Sequence, residues 1–337
     1  MTNPGPDAGP LPVPPASRPP ISPPPVPALP ATVSPEAAAP LRVPLDGPAL
    51  RARLLAPSGP YARIETVEAT GSTNEDLARA AAADPDAWPD LSVLATDFQS
   101  AGRGRLDRVW QAPPCSSLAV SVLFRPGAPD GSALPHTAYA WLSLLCAVAL
   151  ADTLREEAGV EAAVKWPNDV LAGGRKISGI LARLVPLDPA PAVVVGTGVN
   201  ISLTADELPA PTATSLLLEG SRHGTTEVLA GFLRRVGRYY TAFVAAGGDP
   251  EVPLEGVFQS GMAHGGAPAG LRALVAARMA TLGARVRAEL PGGRFLEGTA
   301  TALAPDGALV VRDDAGGLHP VLAGDVVHLR RADGRYA

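Results

Sequence analysis

The 337-residue sequence predicts an α+β chain: a mixed β-sheet flanked by helices, followed by a small all-β domain. Two observations carry this. Between about residues 62 and 246, apolar runs of strand length alternate with segments whose apolar residues recur at helical spacing. Beyond residue 280 only strand-like runs separated by Gly/Pro turns remain. A third observation bounds the other end, because residues 1–45 hold 16 of the chain's 38 prolines. Such a segment has too little apolar periodicity to bury a core, so 1–45 is expected to be a disordered Pro/Ala-rich tail. The expected domains are then 46–270 and 280–332.

Each element has its own warrant. Pro48–Leu55 reads as a short helix leading into ARIETVEAT. Ser72 followed by Glu75 fits the S-x-x-E capping pattern, so a helix starts there. LSVLAT (91–96) and SLAVSVLF (117–124) read as strands. A long helix covers 135–158. Its apolar run Ala138–Ala151 is short for a membrane span and is followed by Asp152, Arg155, Glu156 and Glu157, so it reads as a core helix. AAVKW (162–166), KISGILARLV (176–185) and AVVVGTGVNI (192–201) are strand-like, and 226–246 is helical. A Gly/Pro-rich connection follows over 247–270. In the last domain, PGG (291–293) and PDG (305–307) sit where hairpin turns are needed.

Composition removes several functions. A net charge of −5 argues against general nucleic-acid affinity. Cys115 and Cys146 make neither a disulfide framework nor a zinc cluster, which points to a reducing cytoplasm. No basic-then-apolar secretory start is visible. There is no G-x-x-x-x-G-K-[ST] phosphate loop, no HExxH, and no serine–histidine arrangement near a G-x-S-x-G.

Five short stretches carry small or polar residues at the ends of elements. GSTN (71–74) is explained by helix capping alone, although a helix N-terminus also offers amide N–H groups to a ligand. QSAGRGRLDRVW (99–110) places three arginines on a flexible loop in an acidic chain; nucleic acid, a phosphate ester and a solvated turn all fit it. VKWPNDV (164–170) reads as a tight turn, yet Lys165 and Asp169 around Pro167 also suit a cation or phosphate site. RKISGIL (175–181) opens an apolar strand on Lys176. GTGVN (196–200) lacks the third glycine of a dinucleotide fingerprint, but its glycines permit close backbone approach to a ligand.

In this order the five stretches resemble the biotin–protein ligase family over about residues 48–331, including ATSLL (213–217) and a C-terminal segment ending GDVVHLR. The resemblance implies the class II synthetase-like ligase sheet with an SH3-like C-terminal β-barrel. It implies an ATP-dependent, AMP-forming enzyme of the monofunctional type, without an N-terminal DNA-binding domain. Such enzymes activate biotin as biotinyl-5′-adenylate with Mg²⁺, then pass it to a lysine of a biotin carboxyl carrier domain of an acyl-CoA carboxylase. Ser72, Thr73, Asn74 and Gln99 are then expected on biotin, with Arg103, Gly104 and Arg105 folding over biotin and the adenylate phosphate. Lys176 matches the lysine that grips carboxyl and α-phosphate, and Lys176, Arg105 and Asp169 are the expected catalytic residues. Lys165, Asn168 and Asn200 fall with the nucleotide, as does Trp110, which like Trp166 is expected to act as a packing wall. Asp169 is the expected Mg²⁺ ligand.

The family pattern G-R-G-R-x-G-R-x-W is broken once, since Asp107 stands at its third glycine; a pair with Arg105 or Arg108 is the expected consequence. Alternatives of the same fold are a lipoyl or octanoyl transferase and a biotin-responsive repressor. The Pro-rich start holds no paired helices or basic recognition face for the latter. Expected partners are the carrier domain, biotin and ATP, with no nucleic acid or membrane, in a monomer or weak homodimer.

Overall fold

The computed structural model describes residues 35–127, 133–188, 190–257, 269–323 and 328–331. Its elements run in chain order: α1 (Pro35–Ala38), α2 (Gly47–Leu54), β1 (Arg63–Thr66), α3 (Thr73–Ala83), β2 (Ser92–Thr96), β3 (Gly102–Arg103), β4 (Val109–Trp110) and β5 (Ser117–Phe124). Then come α4 (His136–Glu156), β6 (Ala162–Lys165), β7 (Asp169–Ala172), β8 (Arg175–Val185), β9 (Ala192–Asn200), α5 (Thr225–Ala245) and α6 (Leu271–Arg278). The C-terminal strands are β10 (Arg285–Leu290), β11 (Arg294–Leu303), β12 (Leu309–Arg312), β13 (Leu318–Val321) and β14 (His328–Arg331).

Seven strands form the main sheet in the order β1-β2-β5-β9-β8-β7-β6, with β1 parallel to β2 and every other pair antiparallel. This is the mixed sheet expected. Its two faces are covered unequally. On one, α4 packs against the sheet, α5 and α6, and Leu144 through Leu154 are buried without a break. A helix apolar on all sides belongs inside a core; α4 is long and apolar enough to cross a membrane by length and composition alone, but most of it is buried here. On the other face α3 covers only part of the sheet, laying Leu77, Ala78 and Ala81 on Leu94, Leu123 and Val194.

Three short elements escape the sequence patterns. In β1 only Ile64 is buried, so no alternation shows. β7 returns antiparallel from β6 through the KWPND turn and reads in sequence as part of that turn. α6 buries Leu271, Leu274 and Val275, too few positions to establish a helical period. Part of the segment expected to be a tail lies within the described residues. Arg42 pairs with Glu207 at 2.5 Å and donates to the Ser202 carbonyl, and the Leu45 N–H donates to Asp97, so residues 35–45 lie against the body. An ion pair made across the fold leaves no trace in local composition. Residues 1–34 and the Gly-rich stretch 258–268 lie outside the described residues.

The C-terminal domain is a five-stranded antiparallel sheet, β13-β12-β11-β10-β14. Among the described residues its end strands do not pair with each other. Two buried indoles attach it: Trp141 donates to the Pro305 carbonyl at 2.8 Å and Trp166 to the Gly307 carbonyl at 3.1 Å. Both acceptors belong to the PDG turn between β11 and β12, while Val286, Leu303 and Leu309 join the main core.

Asp152 ties three helices together. It accepts from the Tyr239 hydroxyl and from Arg278 Nε, each at 2.7 Å, and is almost fully buried. Burial and the neighbouring carboxylate push the Tyr239 phenol above its ordinary range, so it stays a donor. Removing one partner of a buried charge pair leaves the other desolvated. Asp152→Ala is expected to cost about 3 kcal/mol of unfolding free energy; an unchanged urea midpoint would contradict this role.

Candidate active site

The site originates in a change of side-chain size along β9. Val193, Val195 and Val199 face the α4 core. On the opposite face Ala192 and Val194 lie under α3, and beyond them stand Gly196, Gly198 and Asn200. Where the side chains vanish, a cavity of about 330 Å³ opens against the sheet. The glycines serve other side chains as much as any ligand. A Cβ on Gly196 would come within 2.6 Å of Asn74 Oδ1, and one on Gly198 within 2.7 Å of the Trp110 ring. Gly179, the register partner of Gly198 on β8, also lies beneath that indole. Trp110 is therefore a wall of the cavity, laid on a two-glycine floor.

The GSTN residues form one end. Ser72 caps α3, its Oγ accepting from the Glu75 N–H. The Thr73 N–H donates to Gln99 Oε1 at 2.8 Å, and its hydroxyl lies 3.2 Å from the same oxygen. Asn74 donates from Nδ2 to the Leu181 carbonyl on β8 at 2.8 Å. Ser121 of β5 joins them, its Oγ lying 2.9 Å from Thr73 Oγ1 and 3.0 Å from Asn74 Oδ1. Sequence reading missed Ser121. The signal was a serine inside the apolar run SLAVSVLF, since a buried hydroxyl requires a partner.

The Gly–Arg stretch is a hairpin, with Gly102 opposite Trp110 and Arg103 opposite Val109. Its tip carries Leu106 at φ 56° and Asp107 at φ 55°, both left-handed. Asp107 thus occupies a position whose backbone favours glycine, and aspartate is among the side chains that tolerate it best. Its carboxylate lies 3.9 Å from Arg103 Nη1, so the partner is Arg103 rather than the expected Arg105 or Arg108. The reversal of the chain at the tip brings residues four apart together. Glu75 Oε1 lies at the same 3.9 Å from Arg103 Nε.

Lys176 and Asp169 meet inside the cavity, Nζ to Oδ1 at 2.5 Å. They come from neighbouring antiparallel strands, β8 and β7. Asn168 is fixed by donating from Nδ2 to the Ile180 carbonyl. Arg105 reaches Asn168 Oδ1 at 3.4 Å and donates to the Ala323 carbonyl of the C-terminal domain at 2.6 Å. Burial pulls the Arg105 guanidinium below its ordinary value, with the Asp169 carboxylate opposing the shift.

Of the expected residues, Ser72, Thr73, Asn74, Gln99, Arg103, Gly104, Arg105, Trp110, Asn168, Asp169, Lys176 and Asn200 all line this cavity. Lys165 does not; it lies buried opposite Asp169 in the β6–β7 register. Trp166 is turned into the contact with the C-terminal domain. Arg108, Pro209, Ala210, Thr212 and Ala213 also line the cavity. Four cations, Arg103, Arg105, Arg108 and Lys176, face one lining carboxylate, Asp169. The cavity is thus built for anions in a chain that is acidic overall.

Comparison with known proteins shows the family. Residues 70–200 match the biotin/lipoate A/B protein ligase family and residues 281–329 the biotin protein ligase C-terminal domain. The biotin–[acetyl-CoA-carboxylase] ligase of Mycobacterium tuberculosis is 37% identical over 295 residues, covering 86% of this chain and 98% of that one. The ligase of the same name from Paracoccus denitrificans is 43% identical over 141 residues, covering 41% of this chain and 54% of that one. The structure of an Aquifex aeolicus biotin protein ligase with biotin and ATP shares the fold, with a TM-score of 0.58 at 24% identity, over 81% of this chain and all of that one. At 37% identity over nearly the whole length of that Mycobacterium ligase, with both domain matches, the chain belongs to the biotin protein ligase family.

Proposed function

We propose that this cavity activates biotin with ATP and passes the biotinyl group to a lysine of a biotin carboxyl carrier domain. The observation that carries the reading is the junction of two environments. The Ser72–Asn74 and Gln99 end offers neutral donors and acceptors, as a ureido ring requires. The other end concentrates Arg103, Arg105, Arg108 and Lys176, as a carboxylate facing a triphosphate requires.

In the first step a biotin carboxylate oxygen bonds to the α-phosphorus as the bond to pyrophosphate breaks. Two anions must approach in line, and Lys176 offsets their repulsion. Before substrate arrives its ammonium is held by Asp169, so binding exchanges one anionic partner for another. In the second step the acceptor amine attacks the acyl carbon, AMP leaves with the bonding pair, and the amine gives up a proton. Arg103 and Arg105 close over the mixed anhydride and keep water from it. Asp169 is the only carboxylate lining the cavity among the described residues. Asp169 is the lining residue that would hold a Mg²⁺ travelling with ATP. Bound there, Mg²⁺ supplies charge neutralisation on the phosphates.

The carrier domain of an acyl-CoA carboxylase is the proposed acceptor, reached in the cytoplasm by a monomer or weak homodimer that needs neither nucleic acid nor membrane. Lipoate activation is the competing chemistry within the family. The C-terminal domain match and the Mycobacterium relative support biotin.

Biotin-dependent exchange of pyrophosphate into ATP tests the reading. Exchange is expected with biotin and not with lipoate; the reverse would defeat it. Lys176→Ala should lower the exchange rate by about 10²–10³-fold while leaving the circular dichroism unchanged. A variant as fast as the parent would move that role elsewhere. Asp107→Gly removes the carboxylate that competes for Arg103, an exposed contact with a modest effect. Its adenylate is expected to leak about two- to threefold more slowly with both substrate KM values unchanged. Equal leakage from both proteins would refute that role for Asp107.

A further inference from the structure

Lys176 stands where the regular sheet runs out on one side. Its strand pairs with β7 through Leu171 opposite Lys176, but pairing with β9 begins only at Ser178. Residues 212–214 take the place that β9 leaves. The Lys176 N–H donates to the Thr212 carbonyl at 2.8 Å, the Thr214 N–H donates to the Lys176 carbonyl at 2.8 Å, and Ala213 lies opposite as a parallel bridge. The same short segment forms a wall of the cavity through Thr212 and Ala213. It belongs to no helix or strand, and side chains add to these backbone bonds in holding it.

Those side chains form a buried chain of contacts. Asn200 donates from Nδ2 to the Thr214 carbonyl at 2.8 Å. The Thr214 hydroxyl, fully buried, donates to Glu219 Oε1 at 2.6 Å. That oxygen also accepts from Arg175 Nη2 at 2.8 Å, with the two charged side chains only 8% and 14% exposed. Arg175 immediately precedes Lys176. The carboxylate therefore joins the residue before Lys176 to the segment clamped against it. Charge-assisted bonds in a low-dielectric setting hold geometry more firmly than neutral ones.

We infer that Glu219 is a positioning residue for Lys176, fixing through Thr214 and Arg175 the backbone from which the ammonium reaches the reacting anions. Glu219 itself does not line the cavity. The inference rests on the adenylating reading for its consequence in catalysis, and on hydrogen bonds alone for the clamp.

Two readouts on the full chain test it. The variants are Thr214→Val, which removes the hydroxyl at nearly constant shape, Thr214→Ser, which restores it, and Glu219→Gln. Deuterium uptake is followed in peptides spanning 175–181 and 209–218. Biotin-dependent pyrophosphate exchange is followed in the parent and in a Lys176→Ala background. Thr214→Val and Glu219→Gln are expected to speed uptake in both peptides and to slow pyrophosphate exchange by roughly tenfold, with Thr214→Ser within about twofold of the parent. In the Lys176→Ala background the same changes should cost no more than about a further twofold, because they act through the missing group. Unchanged uptake, or the full loss repeated without Lys176, would overturn the inference. A parent chain with no biotin-dependent exchange would instead overturn the function proposed above, and the uptake comparison would still decide the clamp.

Discussion

Everything in the cavity depends on one constraint: β9 must be core on one face and floor on the other. Valines at 193, 195 and 199 anchor it to α4, so the strand cannot move. Its opposite face then passes from the α3 contact to bare backbone within two residues. Had Gly196 and Gly198 carried side chains, Asn74 and Trp110 would have been displaced. The strand therefore sets both ends of the pocket at once, the polar end through Asn74 and the indole wall through Trp110. A rigid floor of this kind holds substrates without further ordering when they arrive.

Charge is managed by internal pairing. Lys176 has Asp169, and Arg103 has Asp107 and Glu75 at longer range. The two arrangements differ in kind. The Lys176–Asp169 pair is close and mostly buried, where Coulomb attraction is strong and desolvation is already met. The Arg103 contacts are half exposed and screened, so they hold the hairpin loosely.

How much of this was legible follows from the range of each interaction. The capped start of α3, the strands around the Gly–Arg stretch and the buried α4 all announce themselves within a dozen residues. The five motifs, in order, located nearly the whole cavity. The sequence could not say that Lys165 and Lys176, eleven residues apart, would part company. That depends on the β6–β7 hairpin and on a bulge between Val170 and Leu171. Nor does the sequence show where Ser121 and Glu219 make their bonds, since Thr73, Asn74 and Arg175 lie on other elements. Asp107 looked like a change of charge in a glycine's place. The structure makes it first a matter of backbone, since φ there is 55°.

The position of the lid also draws the small domain into the site. Trp141 and Trp166 bond one turn of that domain, and the Trp166 N–H bonds Thr281 at its entrance. Trp166 itself belongs to the KWPND element, whose Asn168 and Asp169 line the cavity. Arg105 closes the loop by reaching Asn168 on one side and Ala323 on the other. This guanidinium is half-buried, and the Asp169 carboxylate opposes the lowering of its pKa by burial. Arg105 ties the hairpin to both domains through these two oxygens, and an oxyanion accepts a stronger hydrogen bond from a guanidinium than a neutral oxygen does.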